Sequence, residues 1–358
     1  MLQENNSRVS PVTATALLFR HSDGVVPNTL AIGYTFFGYG FSLYLLGQNG
    51  WLFLTGILLL AHSLIIAAYL LHECIHGTLF HQSTTNTTDG HRLLAEMLSW
   101  ITGACYADFT KIKDKHLRHH FERADIVALD YRRLLARHAV LRKALLLGQN
   151  CCLPAVDLLM HTLVILRPFG PEGAPKQRQR VVIVTLLRVM FLSLLVALAD
   201  WQLLFGYVLA YLLFLGVLNF MDAFQHQYLM LEGLELERGA SPTRDTDRFQ
   251  QGYFNREYEN SHTFSNLISE RWPWLNVLVL NFAYHNVHHQ QPLQPWYRLS
   301  KLHQQACLQD ENSIQMVPLK SQLQAYFRYR GDRVMSPASD DREQTNLGAV
   351  GVSFLTPL

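Results

Sequence analysis

Apolar residues along this chain are gathered into long runs that come in two pairs, each pair broken by only a few polar or small residues. The runs extend approximately from Leu30 to Leu46, Trp51 to Leu71, Val181 to Ala199 and Trp201 to Phe220. A helix needs about 20 largely apolar residues to cross the hydrocarbon of a bilayer, and each run meets or approaches that length. "GQNG" joins the first pair and "DW" the second. Connections so short predict two tight helical hairpins, both turning on the side opposite the bulk of the chain. Two other stretches fall short of a span. "LLAEMLSWITGACYA" (Leu93 to Ala107) is brief and contains Glu96, and Ala139 to Leu166 is amphipathic. Both are expected to be re-entrant or to lie in the interface.

Charge gives the runs an orientation. Charged residues are 16% of the chain, against about 25% in typical soluble domains. The deficit is local, since no Lys or Arg occurs between Arg20 and Arg92. Neither hairpin turn carries a cation, whereas Lys111 to Lys143 includes Lys113, Lys115, Arg118, Arg132 and Arg133. The positive-inside rule therefore predicts that this segment, both termini and the region after Asp222 are cytoplasmic. Arg188, inside the third run, is expected to snorkel to that face or line a site. These features predict an all-α integral membrane protein, with four transmembrane helices in two hairpins and a cytosolic helical cap. Its expected organisation is a cytosolic segment over 1–27, a membrane domain over 28–333 and a flexible tail over 334–358.

A net charge of +2 indicates no general affinity for nucleic acid. Five cysteines without a CxxC pair suggest neither a disulfide framework nor a zinc ribbon, and fit a reduced, cytosol-facing protein. The first residues, "MLQENNSRVSPVTATALLFR", lack the marks of a secretory signal.

Histidine supplies the candidate chemistry. "HECIH" (His72 to His76) follows the second run, "HLRHH" (His116 to His120) lies in the basic segment, and "HNVHH" (His285 to His289) lies near the end. The fourth run leads into "MDAFQH", with Asp222 and His226. All these clusters fall on the predicted cytoplasmic side. His72 and His76, four apart, share a helix face, and Asp222 and His226 repeat that spacing on an expected helix extension. Within HxxHH, a helical turn could send the three rings to two metals. Neutral imidazole suits iron, zinc, copper or nickel, and nine rings are too many for one ion and enough for two.

At these residues the chain resembles the membrane fatty acid desaturases, the histidine-box di-iron enzymes. "HECIH", "HLRHH" and "YHNVHH" followed by "PLQPWYRL" carry the resemblance, which covers roughly Ala31 to Leu302. It implies two irons held by His72, His76, His116, His119, His120, His226, His285, His288 and His289. Dioxygen would be the co-substrate and a lipid acyl chain the substrate, on CoA, a carrier protein or a phospholipid. A narrow apolar tunnel would place the substrate, and a separate ferredoxin-like or cytochrome-like donor would supply electrons. Relatives acting on acyl-CoA have Asn one helical turn before the isolated histidine, reaching a metal through water. Here Asp222 stands there, so an anion replaces a neutral contact. His262 and Asn286 are further candidates for outer or water-mediated contacts, as is Tyr284 for orienting a ligand. Trp296 and Arg298 would cap the domain or meet a substrate head group. His62, mid-span, is expected to hydrogen-bond between helices, and His81, His91, His138, His161 and His303 fit no box.

Other readings compete. "HECIH" satisfies HExxH, the zinc-peptidase signature with Glu73 as base, but a protease has no use for two HxxHH clusters. Glu73 to His76 and Glu259 to His262 have the ExxH spacing of soluble di-iron carboxylate sites, yet the neighbouring boxes favour histidine ligation. A metal carrier should have a polar path through its spans, which these runs lack. Hydroxylation, ketolation or acetylenic bond formation on the same scaffold remains the nearest alternative to desaturation.

Overall fold

The computed structural model describes residues 18–81, 89–127, 129, 131–171, 173–228, 230–232, 255–309, 314–335 and 355–356. Residues 1–17 of the predicted N-terminal segment and most of the predicted tail lie outside these. The protein is mostly helical, and four helices are long and apolar enough to cross a membrane. They are α1 (Val25–Leu46), α2 (Trp51–His76), α8 (Pro175–Leu198) and α9 (Asp200–Asp222).

Close backbone approach sets the first pair. A Cβ on Gly56 would sit 2.9 Å from the Leu46 amide nitrogen, so glycine there lets α2 pass tightly against the end of α1. The second pair divides at Asp200, whose φ of +65° turns the chain; its carboxylate accepts from the Trp201 amide at 2.8 Å. Gln202 Nε2 then donates to the carbonyls of Leu46 (3.3 Å) and Gln48 (2.6 Å). Both connections therefore lie side by side at one end of the helices. On α8 the side chains of Leu186, Met190, Leu194 and Leu198 are exposed, an apolar surface suited to hydrocarbon rather than water.

At the opposite end, α2 runs unbroken through His76 and stops at Gly77. That residue adopts φ +66°, ψ +33°, and the Gly77 and Thr78 amides close back on the carbonyls of Cys74 and Glu73. A side chain would be strained in that left-handed cap. Next come α3 (Gly90–Thr102) and α4 (Phe109–Glu122), each started by an aspartate cap, Asp89 and Asp108. Phe109, Ile112 and His116 line the buried face of α4. Arg188, half-buried, packs away from the histidine groups. It donates to the Trp100 carbonyl, lies 5.7 Å over the Trp100 ring and approaches Cys105 Sγ at 3.6 Å, tying α8 to the end of α3.

Beyond α4, β1 (Asp125–Val127) pairs in parallel with β2 (Met230–Glu232), bringing the end of α4 beside the chain that follows α9. After α5 (Tyr131–Arg137), the amphipathic stretch forms α6 (Ala139–Asn150) and α7 (Ala155–Leu166), and the three pack around a small core of Tyr131, Leu135, Val156, Met160 and Val334. The rest comprises α10 (Arg256–His262), α11 (His285–Gln290), α12 (Trp296–Gln309), α13 (Leu319–Tyr329) and the single turn α14 (Asp332–Met335). Leu355 and Thr356 are buried, and Lys115 Nζ donates to the Thr356 carbonyl at 3.3 Å.

Candidate metal centre

The eight box histidines and the isolated His226 converge from α2, α4, α11 and the chain beyond α9. They form two groups, in each of which one nitrogen per ring lies within 4.8 Å of the others. His72, His76, His116, His120 and His288 make the first, and His119, His226, His285 and His289 the second. Helical geometry explains the division. Residues four apart differ by only about 40° around an α-helix, while the residue three along points about 60° the other way. The outer histidines of each HxxHH therefore stay together, and the middle one crosses over: His119 to the second group and His288 to the first.

His226 departs from the expected helix extension. α9 ends at Asp222, the chain turns, and His226 lies in an antiparallel bridge to Thr263, with the Gln227 amide donating to the His262 carbonyl at 2.9 Å. Asp222 and His226 therefore do not share a helical turn. Pairing with the Thr263 strand takes precedence because it satisfies backbone groups that a buried chain cannot leave unbonded.

Ring nitrogens face one another too closely and too often for hydrogen bonding alone. In the first group Nε2 pairs lie 2.9 Å (His76–His116), 3.1 Å (His116–His120) and 3.1 Å (His120–His288) apart. In the second, His226 Nε2 is 3.2 Å from His119, 2.9 Å from His289 and 2.7 Å from His285. His119 Nδ1 lies 2.8 Å from the Ala124 carbonyl and His289 Nδ1 lies 3.1 Å from a Glu259 carboxylate oxygen. Both partners only accept, so both Nδ1 atoms carry the proton and both Nε2 atoms present lone pairs. One nitrogen on His226 cannot satisfy three such neighbours. Converging lone pairs call for a cation, and nitrogens about 2.1 Å from one ion at right angles would be about 3.0 Å apart.

Protonation agrees. Burial and neighbouring imidazoles hold His116, His120, His226, His285, His288 and His289 well below the usual histidine range, and burial takes His119 to about 4. These rings are neutral at pH 7, the form that binds metal.

A family model for fatty acid desaturases matches residues 49–314. The chain belongs to the fatty acid desaturase family. No curated protein matches it. Membership makes this desaturase-family chain an oxidoreductase associated with lipid acyl substrates, and its four apolar helices fit a membrane protein. Its histidine groups fit the di-iron centre that the family implies.

Several charged groups of this family member surround the rings. Glu73 is held by Thr78 Oγ1 and the Trp296 amide, from which its Oε2 accepts at 2.5 Å and 3.2 Å, while its Oε1 lies 3.7 Å from His72 Nδ1. Asp222 lines a small polar cavity with Lys115, Asp125 and Gln225 against the second group. Asp125 Oδ1 lies 3.7 Å from Nδ1 of both His119 and His226. Burial raises the Asp125 carboxyl well above its usual range, with Asp222 adding to the effect, and burial lowers Lys115 to about 7. Sequence reasoning missed Asp125, and it set Glu259 aside as a chance spacing. Glu259 faces His289 instead of His262.

The remaining candidates hold structure. His262 Nδ1 bonds the Tyr258 carbonyl at 2.9 Å and its ring stacks on Tyr258 at 4.1 Å; Tyr258 stacks in turn on Tyr228, which stacks on His226. Asn286 donates to the Thr263 carbonyl, and its amide donates to Ser265 Oγ at 3.3 Å, anchoring α11. Tyr284 OH meets Asn276 and Ser300 rather than a ligand. Trp296 Nε1 donates to Asn28 at 2.9 Å, and Arg298 grips Asp23. His62 bridges Tyr34 and the Leu278 carbonyl, the interhelical role expected of it.

Proposed function

We propose that this desaturase-family protein is a dioxygen-dependent di-iron fatty acyl desaturase. The eight box histidines and His226 are its iron ligands, five on one ion and four on the other. The observation that carries the reading is the convergence of imidazole lone pairs into two adjoining groups at one end of four apolar helices. When bound, the iron pair supplies a dioxygen-derived oxidant able to take hydrogen from an unactivated methylene, which no side-chain acid, base or nucleophile can do at neutral pH.

The chain's own part is positional. α2 and α4 hold ligand pairs on single helix faces, and Phe282 closes over His72 with ring centroids 4.8 Å apart, itself stacked on Tyr69 at 4.5 Å. This apolar lid keeps water from the membrane-facing side of the first group. The distribution of Lys and Arg supports a cytoplasmic position for the cap and site. Electrons come from a separate ferredoxin-like or cytochrome-like donor, and an acyl chain on CoA, a carrier protein or a phospholipid is the substrate. Asp222 supports a water-mediated contact, as an anion beside the second group.

Expression in a host of simple lipid profile, followed by mass spectrometry of fatty acid methyl esters, tests the reading. A new unsaturated species is expected, and it disappears in His119→Ala and His288→Ala. Hydroxylated products, or an unchanged profile from well-expressed, iron-loaded protein, would overturn desaturation in favour of another outcome on the same scaffold.

A further inference from the structure

Glu259 lies on α10, on none of the histidine boxes, yet it is among the most buried carboxylates near the centre, at 2% exposure. Its Oε1 is 3.1 Å from His289 Nδ1. Its Oε2 accepts from Arg123 Nε at 3.0 Å and from Arg256 Nη1 at 2.8 Å. Arg123 is the left-handed cap that ends α4, directly after the second box, and Arg256 also donates to the His289 carbonyl at 3.2 Å. One carboxylate thereby fastens the helix of the second box to the helix of the third. It also stands at the seam between the two groups. A nitrogen of His120, an oxygen of Glu259 and a nitrogen of His289 lie within 4.8 Å of one another, and the His120 and His289 rings are 4.2 Å apart. His120 belongs to the first group and His289 to the second.

We propose that Glu259 is a positioning residue shared by both metal sites. It holds His289 in the tautomer that presents Nε2 and fixes its ring against that of His120. The inference rests on the ligand reading given under Proposed function. A carboxylate on the far nitrogen of a ligating imidazole locks the ring's rotation and raises its basicity, and loss of such partners costs about 10–100-fold in metal affinity. The two arginines give this buried anion its compensating charge. Each therefore acts on His289 through Glu259, and Arg256 also acts through the His289 carbonyl.

The test uses the full chain in detergent, loaded with ⁵⁷Fe(II), with iron per chain and Mössbauer spectra compared for wild type, Glu259→Gln and Arg256→Gln. Glutamine keeps the volume and removes the charge. We expect Glu259→Gln to weaken one of two irons by about 10–100-fold and to shift the quadrupole splitting of that iron's doublet, which a merely structural role would not do. Arg256 is largely exposed, so its variant folds whatever becomes of Glu259→Gln; a smaller shift of the same doublet is expected. Wild-type iron affinity and an unchanged spectrum in folded Glu259→Gln would overturn the inference. If that variant does not fold, an unchanged spectrum in Arg256→Gln does so. Wild-type protein that cannot hold two irons would overturn the ligand reading itself.

Discussion

The five-imidazole group stands mainly on two long helices. His72 and His76 belong to α2 and His116 and His120 to α4, with His288 alone coming from elsewhere. The four-imidazole group takes one ring from α4, one from a β-bridge and two from the six-residue α11. The first meets Phe282, against which His72 packs edge-on, and a single buried carboxylate, Glu73, whose Oε1 lies 3.7 Å from His72 Nδ1. Buried carboxylates back the second, with Asp125 beside His119 and His226 and Glu259 on His289. Where long helices set the spacing, packing alone can orient a ligand. Where short elements converge, orientation has to come from hydrogen bonds to the far nitrogen. The comparison teaches that the sites should differ in how they fail.

Removing a ligand from each group breaks the comparison most sharply. His226 faces three other nitrogens in a group of four, so His226→Ala should lower iron from two ions to one per chain and activity to background. His72→Ala leaves four nitrogens in its group. Both irons should remain, while product formation is lost as in His288→Ala. Elemental analysis of purified protein reads the first effect and product formation the second. Equal iron loss in both variants would dissolve the distinction.

Acid should act on what the groups share. The folded protein holds His119 at about 4 against its ordinary 6.5, and His116, His120, His226, His285, His288 and His289 are lowered too. Below pH 6.5 the unfolded chain takes up protons that the buried rings refuse, so stability falls as pH drops from 6.5 toward 4 and is fully present above 6.5. For His119 alone the loss is on the order of 3 kcal/mol. Thermal unfolding of metal-free protein at pH 7 and pH 5 should show the lower midpoint at pH 5. A higher midpoint at pH 5 would mean that the rings are not neutral in the fold. Iron release over the same interval is expected, since protonated imidazole cannot ligate.

Asp222→Asn sharpens the electrostatic side of the contrast. Asp222 lines the cavity beside the second group together with Lys115 and Asp125. Taking an anion from that wall should disfavour the ferric state, so the reduction potential rises while both irons stay bound. Activity should change by less than about tenfold. A redox titration followed by Mössbauer spectroscopy would detect the shift, and a fall in potential would contradict it.

Sequence made the spans and boxes legible for a simple reason. Bilayer crossing demands continuous apolar length, and a helix face demands three- and four-residue spacing, both of which are local properties. The path of His226 was not local. The Asp222-to-His226 interval reads as one helical turn, and only the distant Thr263 segment draws the chain into a bridge. The sorting of each HxxHH between two centres likewise depends on which helices cross. Arg188 follows the same rule, because its partner Trp100 is 88 positions away. Glu259 and Asp125 look like ordinary surface residues in sequence. Their burial arises from contacts with Arg123, Lys115 and the rings, which no spacing encodes.

His62 supplies the smallest expected effect and the control for all the others. It is a histidine on α2, ten positions before His72, yet among the described residues it joins neither metal-binding group. Tyr34 OH bonds its Nδ1 and the Leu278 carbonyl meets its Nε2 at 3.1 Å. Both ring nitrogens are thus engaged, and the bonds connect α1 and α2 to the segment that leads into the third box. Tyr34→Phe removes one hydrogen bond and keeps the ring that packs edge-on against His62 at 5.3 Å. The loss should be about 1 kcal/mol, read as a small drop in the unfolding midpoint in detergent, with iron per chain and Mössbauer spectrum unchanged. Loss of iron in this variant would show that a histidine outside the boxes helps to hold the metal, and the boundary drawn around the two groups would have to move.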